Sequence, residues 1–309
     1  MKSFRILAVW LVLCTVWSST WIFIKLGLNE GLPPLLFAGL RFVIASSVLI
    51  GINRLRGVPG PRSAGEWGFV VGTGVMMFAV NYGLLFWGEG QITSGLAAVL
   101  QATIPAFGMV AAHFYLPAER LSMPKAAGVL MGLVGVGLIF ADELQLAGPW
   151  AFWGSVAVVV GGASAAYGSV LIKARAAPLD PAVLAGWQMF FGWLPLVAIG
   201  WATEGKPWSI HWTGRAVFAL FYLALAGSAL AFSLYYWLVQ SVGVTRTMLI
   251  SLVTPVTAIL IGWAVLDERL PSGTLAGGIC VLAGLGLVIY RRAPGTTAPP
   301  AEVLESAEG

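Results

Sequence analysis

LPAERLSMPKAAGVLMGLVGVGLIF (116–140) and LDERLPSGTLAGGICVLAGLGLVIY (266–290) are two copies of one segment. Glu119-Arg120-Leu121 falls on Glu268-Arg269-Leu270, and Gly128, Gly135 and Gly137 fall on Gly277, Gly284 and Gly286 at the same offset. With one residue of slip upstream, Pro105 meets Pro255 and Trp87 meets Trp237. The chain therefore reads as two halves, 1–143 and 148–290, each closing on a glycine-rich apolar segment. The tail 293–309 is rich in Pro, Ala and Glu and reads as disordered.

The surroundings of both copies are apolar. Of 309 residues, 59% are hydrophobic and 10% charged, against about 25% charged in a soluble domain. That much apolar surface requires lipid as solvent. Crossing lipid takes about 20 residues of helix, because every backbone polar group must find its partner inside the segment. Strand-like alternation is absent, which excludes a β-barrel. Ten apolar spans follow: 6–28, 33–53, 67–88, 94–116, 124–141, 150–173, 181–202, 215–238, 245–266 and 272–290. Five spans per half is an odd number, so the second copy enters the membrane upside down. The expected fold is an all-α membrane protein of ten transmembrane helices in two inverted five-helix repeats. Secondary transporters recurrently use this arrangement, with the solute near the midplane between the halves.

Charge tests the count. With the N-terminus inside, Lys2, Arg5, Arg54, Arg56, Arg62, Arg120, Lys125, Lys173, Arg175, Arg246, Arg291 and Arg292 fall on the inner side, and Lys25, Lys206, Arg215 and Arg269 on the outer. That bias places both termini in the cytoplasm. The formal charge of +4 is scattered over short loops and is no nucleic-acid footprint. The start of the chain imitates a signal peptide but lacks a small-residue cleavage site, so it reads as a retained helix. Cys14 and Cys280 lie inside spans and give neither a disulfide framework nor metal-ligand spacing, so no cofactor and no metal are expected.

WSSTWIFIKLGLNEGLPPLLFAGLRFVIA (17–45), taken with the paired ERL-plus-glycine segments, resembles the EamA family of the drug/metabolite transporter superfamily, over about residues 5–290. The resemblance implies a basket of helices around a central cavity and export of small metabolites across a bacterial inner membrane. Within the family the chain is most similar to exporters of amino acids, aromatic ones included.

Polar side chains at membrane depth face protein or water, so they map a candidate cavity. Trp17, Ser18 and Trp21 lie near the middle of span 1 on one helical face, while Ser19 turns to its own backbone. An indole wall stacks on planar groups; helix packing is the alternative use. Asn81 and Tyr82 of span 3, Gln101 of span 4, Trp187 and Gln188 of span 7, Ser228 of span 8 and Ser251 of span 9 lie at similar depth. Laying Lys25 on Lys173 puts Tyr167 opposite Ser19, in a copy that has lost both tryptophans. Pro105 and Pro255 interrupt matching spans and are candidate hinges, a plain kink being the rival reading. Arg41 is the one charge well inside a span. It serves either as a carboxylate anchor for an amino-acid solute or as a tie to backbone carbonyls between helices.

No Asp or Glu stands at mid-span; Glu89 is near an end. Transport that is passive or loosely proton-coupled is therefore expected. Gly128/Gly132 and Gly273/Gly277 give small-xxx-small spacing in spans 5 and 10, either as packing ribs or as a homodimer surface on an otherwise monomeric protein. The rival functions are a broad drug or nucleoside-metabolite exporter, a receptor, and an intramembrane enzyme. With two histidines, the last lacks a nucleophile–base pair.

Overall fold

The computed structural model describes residues 2–92, 94–139, 149–175, 179–256 and 274–290, and every regular element among them is helical. In chain order these are α1 (Lys2–Asn29), α2 (Pro34–Leu55), α3 (Ala64–Glu89), a broken α4 (Ser94–Gln101 and Ile104–Tyr115), α5 (Met123–Ile139), α6 (Ala151–Arg175), α7 (Pro181–Glu204), α8 (Gly214–Val242), α9 (Val244–Val256) and α10 (Thr274–Tyr290). Six of them, α1, α2, α3, α6, α7 and α8, are long and apolar enough to cross a membrane; the other apolar stretches are shorter. Phe4, Leu11, Leu130, Val134, Ile279 and Leu282 are exposed on outward faces, as lipid contact requires.

Helix starts are capped by polar side chains. Asp180 accepts from Ala182 and Val183 N–H at α7, and Ser63 accepts from Glu66 N–H at α3. Two caps come from distant helices. The Glu204 carboxylate at the end of α7 accepts the Leu35 and Leu36 N–H groups of α2, each at 2.9 Å. Glu119 accepts those of Val244 and Thr245 at the start of α9, also at 2.9 Å. That is the work of the first ERL glutamate; its expected counterpart, Glu268-Arg269-Leu270, lies outside the described residues. Gly243 makes the α9 cap possible: its φ is +103°, and a Cβ there would stand 2.7 Å from Glu119 Oε1.

Packing contacts recur at a constant shift. Gly39 of α2 packs on Leu196 and Val197 of α7, while Gly186 of α7 packs on Leu49 and Ile50 of α2. Each residue of the second contact is 147 positions from its mate in the first. On α5 and α10, Gly128 faces Gly284, and Gly135 faces Gly277. Gly128 and Gly135 thus pack as ribs between α5 and α10 within the chain; Gly273 lies outside the described residues.

Both halves also depart from the α-helix at matched places. Span 4 breaks at Ala102–Thr103, just ahead of Pro105, which lacks the N–H that would bond Gln101 O. In α9 the turn at Leu249 precedes Pro255, and the carbonyl freed at Ser251 takes the Thr254 hydroxyl at 3.4 Å. Nothing in the sequence announced the second pair. Val75–Val80 in α3 and Leu225–Leu230 in α8 are π-helical, 150 residues apart. Such turns widen the helix and leave carbonyls short of donors.

Gly135→Ala would set a methyl 2.6 Å from Gly277 O and 2.8 Å from Val281 N, whereas a Cβ at Gly137 meets nothing within 4 Å. Gly135→Ala should cost about 1–3 kcal/mol and lower the melting temperature in detergent; Gly137→Ala should leave it within error of the parent.

Candidate functional site

The π-turn of α8 organises a buried polar site. The Gly227 carbonyl, inside this turn, accepts Trp17 Nε1–H at 3.3 Å and Arg41 Nη2–H at 3.1 Å. A side chain at 227 would strike Thr20 at 2.8 Å, so glycine lets α1 and α2 close on this carbonyl. Arg41 also donates through Nε to Ser228 Oγ at 2.6 Å, and Ser228 passes its own proton to Leu223 O. The guanidinium lies over Tyr82 at 4.8 Å and Phe42 at 5.1 Å, contacts that partly offset its burial. It is 1% exposed, and its third nitrogen, Nη1, has no partner.

Beside it opens a cavity of about 830 Å³ of atom-free space, its mouth included. α1, α2, α3, α4, α6, α8 and α9 all contribute to its wall. Aromatic rings form one side: Trp17 stands 5.5 Å from Phe232 and 5.2 Å from Tyr235, with Trp21 and Tyr82 adjoining. Polar atoms are sparse. Asn81 donates weakly to Met77 O and leaves Oδ1 without a partner, Gln101 donates to Val158 O at 3.2 Å, and Tyr235 donates to Ser169 Oγ at 3.0 Å. Among the described residues, Arg41 is the one charged side chain in the wall. No three His, Cys, Asp or Glu residues come together there to hold a metal ion.

The structure thus brings together Trp17, Trp21, Arg41, Asn81, Tyr82, Gln101 and Ser251 of the expected set, with Ser251 also bonding Met248 O. It places the others elsewhere. Ser18 is fully buried and returns its hydroxyl to Cys14 O; consecutive helical residues stand 100° apart, and Thr20, not Ser18, shares the Trp17–Trp21 face. Ser19 bonds Val16 O, as expected, and Tyr222 as well. Tyr167 is hydrogen-bonded to Tyr115 of α4 at 2.7 Å. Trp187 packs edge-on against Trp67 and under Arg54, in a separate smaller pocket. Gln188 donates to Thr73 of α3, and Ser228 stands behind Arg41. Phe232, Tyr235, Ser169 and Thr247 enter the wall without having been singled out. The first three sit where an apolar face turns inward, which one sequence alone does not reveal.

The model of the EamA-like transporter family matches residues 5–141 and again residues 152–290. The uncharacterized transporter YoaV of Bacillus subtilis is 26% identical over 270 residues, covering 87% of this chain and 91% of YoaV. The uncharacterized inner membrane transporter YedA of Escherichia coli K12 is 29% identical over 273 residues, covering 87% and 85%. A solved crystal structure superposes with a TM-score of 0.76 over 93% of this chain and 96% of the other, at 20% identity, which speaks to fold alone.

Trp17 and Trp21 separate support from contact. Trp17→Ala removes a hydrogen bond to Gly227 and two ring contacts, and should lower both the melting temperature and ligand affinity. Trp21 makes no such bond among the described residues, so Trp21→Ala should weaken ligand binding with the melting temperature held, as read by ligand-induced thermal shift.

Proposed function

The chain belongs to the EamA-like transporter family and is a multi-pass membrane transporter; on that premise we propose that it exports small aromatic metabolites, amino acids among them, across a bacterial inner membrane. In this reading ten spans form two inverted five-helix halves, 1–143 and 148–290, with both termini cytoplasmic. The solute enters the cavity from inside, the halves rock, and the cavity opens outward. The observation that carries the reading is the cavity itself. It is built from both halves, its aromatic side matches a planar side chain, and Arg41 is the one charge in its described wall, suited to a carboxylate. The breaks at Ala102–Thr103 and Leu249, beside Pro105 and Pro255, supply flexible points in the two helices that border it. Aromatic stacking and a guanidinium favour a planar carboxylate over a drug lacking a negative group.

Among the described residues the wall offers no carboxyl or imidazole to carry a proton. Purified protein in liposomes should therefore exchange labelled phenylalanine for unlabelled in counterflow with no pH gradient imposed. Exchange that appears only under a gradient would sink the loosely coupled mechanism, and exchange of nucleosides but not phenylalanine would sink the aromatic assignment.

A further inference from the structure

Arg41 and Gln188 occupy one position of the repeat. Laying Pro34 on Pro181 puts Ala38-Gly39 on Ala185-Gly186 and Arg41 on Gln188. This is the same shift of 147 residues that relates the glycine contacts of α2 and α7. Both side chains are buried, and both tie their helix to the helix crossing it from the other repeat. Gln188 Nε2 donates to Thr73 Oγ1 at 2.6 Å on α3, two residues before the π-turn begins at Val75; Arg41 Nε donates to Ser228 Oγ at 2.6 Å within the π-turn of α8. One half makes this tie with a neutral amide. The tie therefore needs a donor and does not need a charge.

What distinguishes the two positions is the cavity. Arg41 lines it and Gln188 does not. Arg41 has no carboxylate partner among the described residues, where the one ion pair is Arg215–Glu30. Its Nη1 makes no hydrogen bond. A buried cation in a low-dielectric wall attracts a negative group and repels a positive one. An ammonium brings three donors and a positive charge, and the one charge the described wall presents to it is that cation.

We propose that the cavity selects its solute by net negative charge: its preferred substrates are aromatic monocarboxylates, held by the carboxylate at the Arg41 guanidinium with the ring against Trp17, Phe232 and Tyr235, and an α-amino group is tolerated but not read. This rests on the transport reading above and sharpens it. Three probes that share one ring test it in counterflow with the full-length protein in liposomes: 3-phenylpropanoate as anion, phenylalanine as zwitterion and phenethylamine as cation. The expected order puts 3-phenylpropanoate at or above phenylalanine, with phenethylamine slower by about tenfold or more. Arg41→Gln, which copies the solution used at position 188, gives up the bond to Gly227 O along with the charge; it should lower the melting temperature and collapse the preference for 3-phenylpropanoate over phenethylamine. The readout is that ratio, which a purely structural loss would leave unchanged. Phenethylamine exchanging as fast as 3-phenylpropanoate, or phenylalanine exchanging while 3-phenylpropanoate does not, overturns charge selection and leaves aromatic transport standing. No exchange of any of the three overturns both readings. The comparison of probes on the unaltered protein decides the matter even where Arg41→Gln fails to fold.

Discussion

Lipid offers the backbone no hydrogen-bond partner, so a carbonyl released inside a span must be answered by the protein itself. The Gly227 carbonyl, in the π-turn of α8, is answered twice: Trp17 and Arg41 both donate to it. This one demand draws α1 and α2 onto α8 and sets the indole and the guanidinium side by side. The matching turn in α3 makes the same demand of α6: Ser164 Oγ donates to Met76 O at 3.0 Å, and Asn81 answers Met77 O. The polar residues around the cavity are thus first of all answers to backbone groups. Two of their atoms, Arg41 Nη1 and Asn81 Oδ1, are left buried without a hydrogen-bond partner.

The glycine contacts explain why these answers stay in register. On α2–α7 and α5–α10 a side chain on either face would strike backbone or a packed neighbour, so the helices meet at their main chains. Close approach maximises dispersion contact where lipid removes the hydrophobic drive between helices. The Glu204 and Glu119 caps add charge-assisted bonds at the helix ends, each acceptor serving two amides that would otherwise be orphaned.

The repeat, the membrane setting and the glycine ribs were legible in the sequence because each is written as spacing. Gly128, Gly135 and their copies stand at fixed intervals, and those intervals survive folding. The π-turns were not legible. VMMFAV (75–80) and LAGSAL (225–230) share only Ala79 and Ala229, and neither carries a proline. A π-turn is a property of the backbone and leaves no compositional mark. Direction was the other gap. Depth along a span gives a residue's height, and Asn81, Tyr82 and Gln101, grouped by level, line one cavity. It does not say which neighbour a side chain faces. Tyr167, Trp187 and Gln188 have comparable height and turn to Tyr115, Trp67 and Thr73 instead.

Repetition separates what the fold needs from what the cavity needs. The π-turns, the proline-linked breaks, the glycine contacts and the buried tie at 41 and 188 each occur twice, once per repeat, and so belong to the architecture. The aromatic wall occurs once. With Lys25 laid on Lys173, Trp17 corresponds to Ala165 and Trp21 to Ser169, and all four residues line the cavity. The same two positions therefore face the same space from both repeats, bulky on α1 and small on α6. Tyr235 of α8 stands beside the small pair, its hydroxyl on Ser169 and its ring on Trp17. A symmetric scaffold thus encloses an asymmetric space, with a guanidinium on α2 that has no charged counterpart on α7. A solute with one planar end and one anionic end fits that asymmetry in one orientation only.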